Sequence, residues 1–178
     1  MIRVTSRLVL REFVLEDWPA VLAYQSEPAY LRYNEWTERT AADVQAFIQR
    51  FIDWQREEPR YRYQLAVTLP ETGQLIGNCG LRLEHPGSHE GNIGYELAPQ
   101  HWGQGYATEA ARSMLALGFR EFGLHRIWAG CVAENTGSAH VLEKLGMQRE
   151  GIHHDKEWFK GRYWDAYTYA ILAHEWHL

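Results

Sequence analysis

The sequence predicts an α+β fold with a central, mostly antiparallel mixed sheet and flanking helices. Three observations lead there. Apolar residues make up 46% and charged residues 23% of the chain, the balance of a globular protein rather than a disordered one. Segments of strand period and of helix period both occur, yet they do not alternate strictly, which disfavours a parallel βαβ sheet. The length, 178 residues, suits one medium domain over 1–178 better than two.

Taken in order, Arg3–Phe13 ends with Leu8, Leu10 and Phe13 set against Arg7, Arg11 and Glu12, and reads as a strand. Acidic residues and Pro19 open a helix that runs to about Gln25. A second helix begins after Thr40. Its apolar positions Val44, Phe47, Ile48, Phe51 and Trp54 recur at three-and-four spacing, and Pro59 closes it. Tyr63–Leu69 and Leu75–Leu83 are strands around the turn Pro70-Glu71-Thr72-Gly73, and Asn92–Leu97 is another short strand. Tyr106–Phe122 carries a broad apolar face and reads as one long helix. Then follow a strand Arg126–Ala133, a helix Thr136–Leu145 with Gly146 at its C′ position, and two strands around Lys160-Gly161. No repeat, linker or low-complexity tract interrupts this order.

Composition excludes several classes. No unbroken apolar run exceeds the seven residues Ile127–Ala133, far short of a membrane span of about 20. The N-terminus lacks the layout of a signal peptide. A net charge of −5 without a basic block disfavours a nucleic-acid partner. Two cysteines make neither a disulfide framework nor a zinc site, and a reducing cytoplasm suits them. His174-x-x-His177 does not set its histidines and Glu at the spacing of a metalloprotease helix and reads as a frayed terminus, so no metal is expected.

The chemistry concentrates in Gly94–Glu109. A strand ends, Gly103 and Gly105 follow two apart, and a helix begins at once. Such glycines let backbone N–H groups approach a ligand, and the first helical turn adds unpaired donors and about half a positive charge. Together these suit a pyrophosphate or a similar anion. A nucleotide-binding loop would need Lys-Ser/Thr after Gly105, where Tyr106 stands, and a dinucleotide fingerprint would need Gly or Ala where Thr108 stands. Glycines serving only a steep turn are the structural alternative.

Gln100-x-x-Gly103-x-Gly105 resembles the motif with which the GNAT N-acetyltransferase superfamily cradles the pyrophosphate of acetyl-coenzyme A. The run Trp102–Ala110 is similar to its branch of ribosomal-protein N-terminal acetyltransferases, the RimJ/RimL-like enzymes. Arg7-Leu8-x-Leu10-Arg11 resembles that branch's first strand. Asn135-x-x-Ser138 with Glu143–Met147 resembles its late helix, with Met147 where Phe is usual, and Gly161-x-x-x-Asp165-x-x-x-Tyr169 with Glu175-Trp176 resembles its last strand and C-terminus. The matches run from residue 7 to residue 176 in the family's order.

The resemblance implies a single GNAT-like domain whose middle strands, Asn92–Leu97 and Arg126–Ala133, splay to admit acetyl-CoA, with direct acetyl transfer to an amine. Leu97, Ala98, Gln100, Gly103, Gln104, Gly105, Tyr106, Ala107, Asn135 and Ser138 are then the coenzyme-binding candidates. Strand edges at Glu96, Leu97 and Ala98 would bind the amide-rich pantetheine arm, and the Leu97 N–H would face the thioester oxygen. Glu96 is the first candidate base and Glu134 the second; a structural ion pair or a place in solvent is the alternative for Glu96. His85, His89 and His140 are further candidates because imidazole is the side chain suited to proton transfer near neutrality, but lone histidines in loops or helices are more often solvated than catalytic. Many GNAT enzymes carry a Tyr that protonates the thiolate at the position of Leu142 here, so Ser138 takes that role, or else bonds nearby backbone. Asn135 orients the pantetheine or serves as an N-cap. Tyr30, Tyr33 and Trp36 fall in the long connection where the family builds its acceptor pocket, with ordinary packing as the alternative for each, and Cys131 reads as a small buried hydrophobe. The acceptor is a peptide N-terminal α-amine or a small amine such as a polyamine or antibiotic. A non-catalytic acyl-CoA-binding module and a longer acyl donor are the alternatives, and a monomer or homodimer is expected.

Overall fold

A computed structural model of the chain describes residues 1–177. Strands β1 (Ile2–Val4) and β2 (Val9–Glu12) precede helices α1 (Trp18–Gln25), α2 (Pro28–Leu31) and α3 (Ala41–Gln55). Strands β3 (Arg62–Thr68), β4 (Leu75–Leu83) and β5 (Glu90–Leu97) lead into α4 (Tyr106–Ala116). The chain ends with β6 (Arg126–Val132), α5 (Thr136–Lys144), β7 (Gln148–Phe159) and β8 (Arg162–Leu172). All eight strands join one sheet in the order β1-β2-β3-β4-β5-β6-β8-β7. Every neighbouring pair is antiparallel except β5 with β6. The expected mixed α+β sheet is therefore present.

Each face of the sheet buries its own cluster. Met114 and Leu115 of α4 and Leu142 of α5 pack with Leu65, Val67 and Leu81 on one side. Val21 and Tyr24 of α1 and Val44, Ile48 and Phe51 of α3 pack with Phe13 and Ala66 on the other. Strand alternation sends successive side chains of β3 to opposite clusters, Leu65 and Val67 to the first and Ala66 to the second. Helix α3 starts where the sequence places it because Thr40 Oγ1 accepts from the Asp43 N–H at 3.2 Å while Asp43 accepts from the Thr40 N–H at 2.9 Å.

Three elements depart from the sequence reading, one of them the short α2 in the connection between the first two expected helices. The first strand is a hairpin rather than one segment, because Thr5 turns the chain: its N–H donates to Leu8 O at 2.9 Å and its Oγ1 accepts from the Leu8 N–H at 3.0 Å. The long helix ends at Ala116, and Leu117–Glu121 continue as a wider π turn. There Gly118 lies so close to the sheet that a Cβ would come within 2.6 Å of Ile127 Cδ1.

The N-terminal hairpin is clasped to α4 by Glu109. Its Oε1 accepts from Thr5 Oγ1 (2.7 Å), Ser6 Oγ (3.0 Å) and the Arg7 N–H (2.9 Å), and its Oε2 from Arg7 Nε (2.7 Å). Burial alone would raise this carboxyl, but the donors of Thr5, Arg7 and Ser6 outweigh it and hold it below its ordinary value. A depressed carboxylate contributes stability that is present above its unfolded value of ~4.3 and lost as the pH falls through the folded value. Glu109→Gln is expected to lower the urea midpoint at pH 7, by about 1 kcal/mol in stability, with the deficit shrinking towards about pH 3.5. A deficit equal at both pH values would show that the clasp does not depend on the charge.

Candidate active site

The turn between β5 and α4 leaves main-chain donors open. Gly103 and Gly105 have φ of +73° and +83°, conformations that side chains with a Cβ rarely adopt. A Cβ at Gly103 would meet nothing within 4 Å, so the backbone there faces open cleft. The first N–H with a helical partner is that of Glu109, which donates to Gly105 O at 3.0 Å. Among the described residues the N–H groups of Tyr106, Ala107 and Thr108 have no partner, which leaves a helix N-terminus suited to an anion. The turn is held from outside. Arg7 Nη1 donates to Gln104 O at 3.0 Å, and its guanidinium carbon lies 4.7 Å from the centre of the Tyr106 ring.

Strands β5 and β6 pair only at Glu90–Arg126, Gly91–Ile127 and Asn92–Trp128, and beyond that they part. The expected splay is present and begins at Asn92. Because the Ala98 N–H donates to Ile76 O at 2.8 Å, antiparallel alternation turns the main-chain groups of Glu96 towards β4 and those of Tyr95 and Leu97 into the fork. The expectation of free edges at residues 96–98 is thus corrected. Both main-chain groups of Ala98 are engaged, its carbonyl by the His101 N–H at 2.9 Å. The Leu97 carbonyl accepts from Trp102 Nε1 at 2.8 Å, and its N–H is the donor that remains in the fork.

Fork and turn open into one cleft of about 580 Å³. Tyr95 and Glu96, adjacent on β5, reach it from opposite faces of the sheet. On the α5 side, Tyr95 OH donates to Ser138 O at 3.0 Å and lies 3.1 Å from Ser138 Oγ. Burial pushes this phenol above its ordinary value, so it stays protonated. On the α1–α2 side, Glu96 Oε1 accepts from Tyr24 OH (2.6 Å), Gln25 Nε2 (2.9 Å) and Asn78 Nδ2 (2.6 Å), and Oε2 from Tyr30 OH (2.5 Å). Burial and the Glu96 charge push both phenols up, which keeps them as donors. A carboxylate with four donors is fixed in orientation, and Oε2 keeps the more open lone pair.

Of the other sequence candidates, Gly103, Gly105, Tyr106, Ala107, Leu97, Asn135 and Ser138 line the cleft, as do Tyr30 and Tyr33. Asn135 caps α5, its Oδ1 accepting from the Ser138 N–H at 3.1 Å. Gln100 and Gln104 lie outside the lining and brace the turn, Gln104 Nε2 donating to Gln100 O at 3.2 Å. Trp36 also lies outside it and packs beneath Arg39, 4.6 Å from ring centre to guanidinium carbon. Glu134 forms an exposed pair with Arg162 at 2.7 Å, His85 and His89 are exposed in a loop, and His140 sits on the cleft rim. Leu142 is buried in the core, so no side chain from that position reaches the cleft. Cys79 is buried with its thiol pushed up to about 12, and Cys131 is partly buried with its thiol raised, both by desolvation. The sequence reading missed Tyr24, Gln25, Asn78 and Tyr95. Position 95 could have been found from strand alternation beside Glu96, whereas the others belong to distant elements.

The model of the acetyltransferase (GNAT) domain matches residues 7–148. An uncharacterized N-acetyltransferase of Bacillus subtilis, YnaD, is 37% identical over 177 residues, covering 97% of each chain. A crystal structure of a GNAT-family acetyltransferase from Bacillus anthracis superposes with a TM-score of 0.85 at 34% identity, covering 98% of this chain and 99% of that one. The spermidine N(1)-acetyltransferase of Vibrio cholerae is 32% identical over 76 residues, 43% of this chain and 44% of its own. Cleft, fork and glycine turn thus coincide with a family match across most of the chain, and the protein belongs to the GNAT family of acetyl-CoA-dependent N-acetyltransferases.

Proposed function

We propose that the acceptor is the α-amine at a peptide N-terminus and that Glu96 takes its proton. The observation that carries this reading is the convergence of three groups on one cleft: the open donors of residues 103–108, the Leu97 N–H in the fork, and the Glu96 carboxylate. The cradle suits acetyl-CoA because its glycines leave the diphosphate position free of side chains, while Tyr95, Leu97 and the fork edge of β6 offer main-chain partners to pantetheine amides. Acetyl-CoA supplies the activated acyl group. The residues of this chain orient and polarise it.

In this reading the Leu97 N–H donates to the thioester oxygen as charge develops there, a contribution typically worth ~2.7–4 kcal/mol when preorganised. Glu96 receives the amine proton at Oε2, directly or through one water. Ser138, held beside Tyr95 OH, donates to the departing thiolate. Separation of Tyr95 and Glu96 onto opposite faces keeps the leaving-group side apart from the acceptor side. Tyr30 and Tyr33 form the acceptor wall, and the reducing cytoplasm suits the two free thiols.

The acceptor class rests on the resemblance to the ribosomal-protein branch and on proton chemistry. At pH 7.5 about a quarter of an α-amine with pKa ~8 is already neutral, against about a thousandth of an alkyl amine with pKa ~10.4. A carboxylate whose lone pairs are largely engaged suits the less basic amine. The spermidine acetyltransferase that matches 43% of the chain supports a polyamine as the second reading.

Purified protein is expected to release CoA from acetyl-CoA with peptides bearing free N-termini and not with the same peptides N-blocked. Turnover on spermidine alone would replace the peptide by a polyamine. Glu96→Gln is expected to lower kcat by about 10²-fold with the KM for acetyl-CoA changed less than about twofold. Full activity of that variant would remove Glu96 as the proton acceptor.

A further inference from the structure

We propose that Arg82 and Arg39 are positioning residues for Glu96, each acting on its carboxylate through bridging amide side chains rather than by contact. The proposal rests on the reading of Glu96 as proton acceptor and adds what orients it. From Arg82 the chain has two amides. Arg82 Nη1 donates to Gln64 Oε1 (3.1 Å), Gln64 Nε2 to Asn78 Oδ1 (2.6 Å), and Asn78 Nδ2 to Glu96 Oε1 (2.6 Å). From Arg39 it has one: Arg39 Nε donates to Gln25 Oε1 (3.0 Å) and Gln25 Nε2 to Glu96 Oε1 (2.9 Å). Every amide accepts on the arginine side and donates on the carboxylate side, so the dipoles are aligned and reinforce one another.

The relay is built into the sheet. Gln25, Gln64 and Asn78 are 0%, 3% and 3% exposed. Gly80 and Gly94 make room for it, since a Cβ would fall 2.1 Å from Gln64 Oε1 in the first case and 2.4 Å from Arg82 Nη2 in the second. Among the described residues Arg82 has no carboxylate within 4.0 Å. A guanidinium carried into a sheet face without a direct ion pair is not explained by stability, because apolar residues of similar volume commonly serve a core as well or better. Arg82 also reaches the fork. Its Nη2 donates to Asn92 Oδ1 at 3.0 Å, and Asn92 forms with Trp128 the last paired position of β5 and β6. One chain of bonds therefore links the point where the strands part to the carboxylate beside the opening.

Both relays end on Oε1, where Tyr24 also donates, and Oε2 is left with Tyr30 alone. The consequence is a carboxylate that rotates little and keeps one oxygen available to the cleft. The charged and titratable groups around it are Tyr24 on α1, Tyr30 on α2, Arg39 before α3 and Arg82 on β4. The two phenols stay protonated, so the arginines are the fixed charges acting on Glu96.

The test compares Arg82→Met, Arg39→Met and Gln64→Met with the wild type across pH, using acetyl-CoA and the preferred acceptor. Gln64→Met severs the longer bridge while keeping both charges, and should lower kcat by about as much as Arg82→Met does; wild-type kcat in that variant would overturn the bridging role. Removing a positive charge favours the protonated carboxyl, so each arginine variant should move the acid limb of kcat/KM upward by about half a unit or more. The same variants should lower kcat by about tenfold and leave the KM for acetyl-CoA within about twofold. Lysine at either position should return the limb towards the wild-type position, and Arg39→Met should add no loss in a Glu96→Gln background. An unmoved limb alongside a changed KM for acetyl-CoA or a lower Tm would reduce both arginines to structural parts and overturn the proposal. Full activity of Glu96→Gln would instead overturn the proton-acceptor reading itself. Should Arg82→Met fail to fold, Arg39→Met and Gln64→Met decide the matter.

Discussion

Strands β5 and β6 run parallel in an otherwise antiparallel sheet, and their pairing stops after three residues. Antiparallel neighbours on the outer sides, β4 and β8, hold the two strands while they part, so the fork opens without loosening the sheet. Main-chain groups that a continuous ladder would consume then face a cleft at Tyr95 and Leu97. An unpaired main-chain donor in a recess is costly to bury dry, which makes the fork a place where an amide-rich ligand can replace water.

The remaining features follow from where the fork lies. The chain leaves β5 through the glycine turn, so the helix N-terminus of α4 opens at the fork's mouth, and the Arg7–Glu109 clasp fixes that turn from the N-terminal hairpin. Strand alternation at residues 95 and 96 then assigns one side chain to each face. Tyr95 meets Ser138 on the α5 side, and Glu96 meets Tyr24 and Tyr30 on the other. A single change of pairing partner in the sheet thereby produces a coenzyme side and an acceptor side.

Local signals carried well into the structure. The Gly103–Gly105 spacing marks two positive-φ positions, Gly146 ends α5 with φ of +83°, and Thr40 with Asp43 caps α3. What the sequence concealed was contact between distant segments. Tyr24 lies 72 residues and Gln25 71 residues from Glu96, and no spacing rule connects a helix to a strand across such a gap. The N-terminal hairpin was hidden for a related reason. Thr5-Ser6 has none of the Gly, Pro, Asn or Asp that mark turns most strongly, and besides the local Thr5–Leu8 bonds it is held by Glu109 more than a hundred residues away. The π turn after Ala116 keeps the apolar pattern of a helix, so periodicity could not reveal the change of pitch.

The most direct test of this account is a crystal structure of the protein with coenzyme A. The diphosphate should lie on the N–H groups between Gly103 and Thr108, with the pantetheine arm between β5 and β6 and its sulfur near Leu97. A coenzyme bound elsewhere, or a fork that closes into a continuous ladder beyond Asn92 and Trp128, would contradict it.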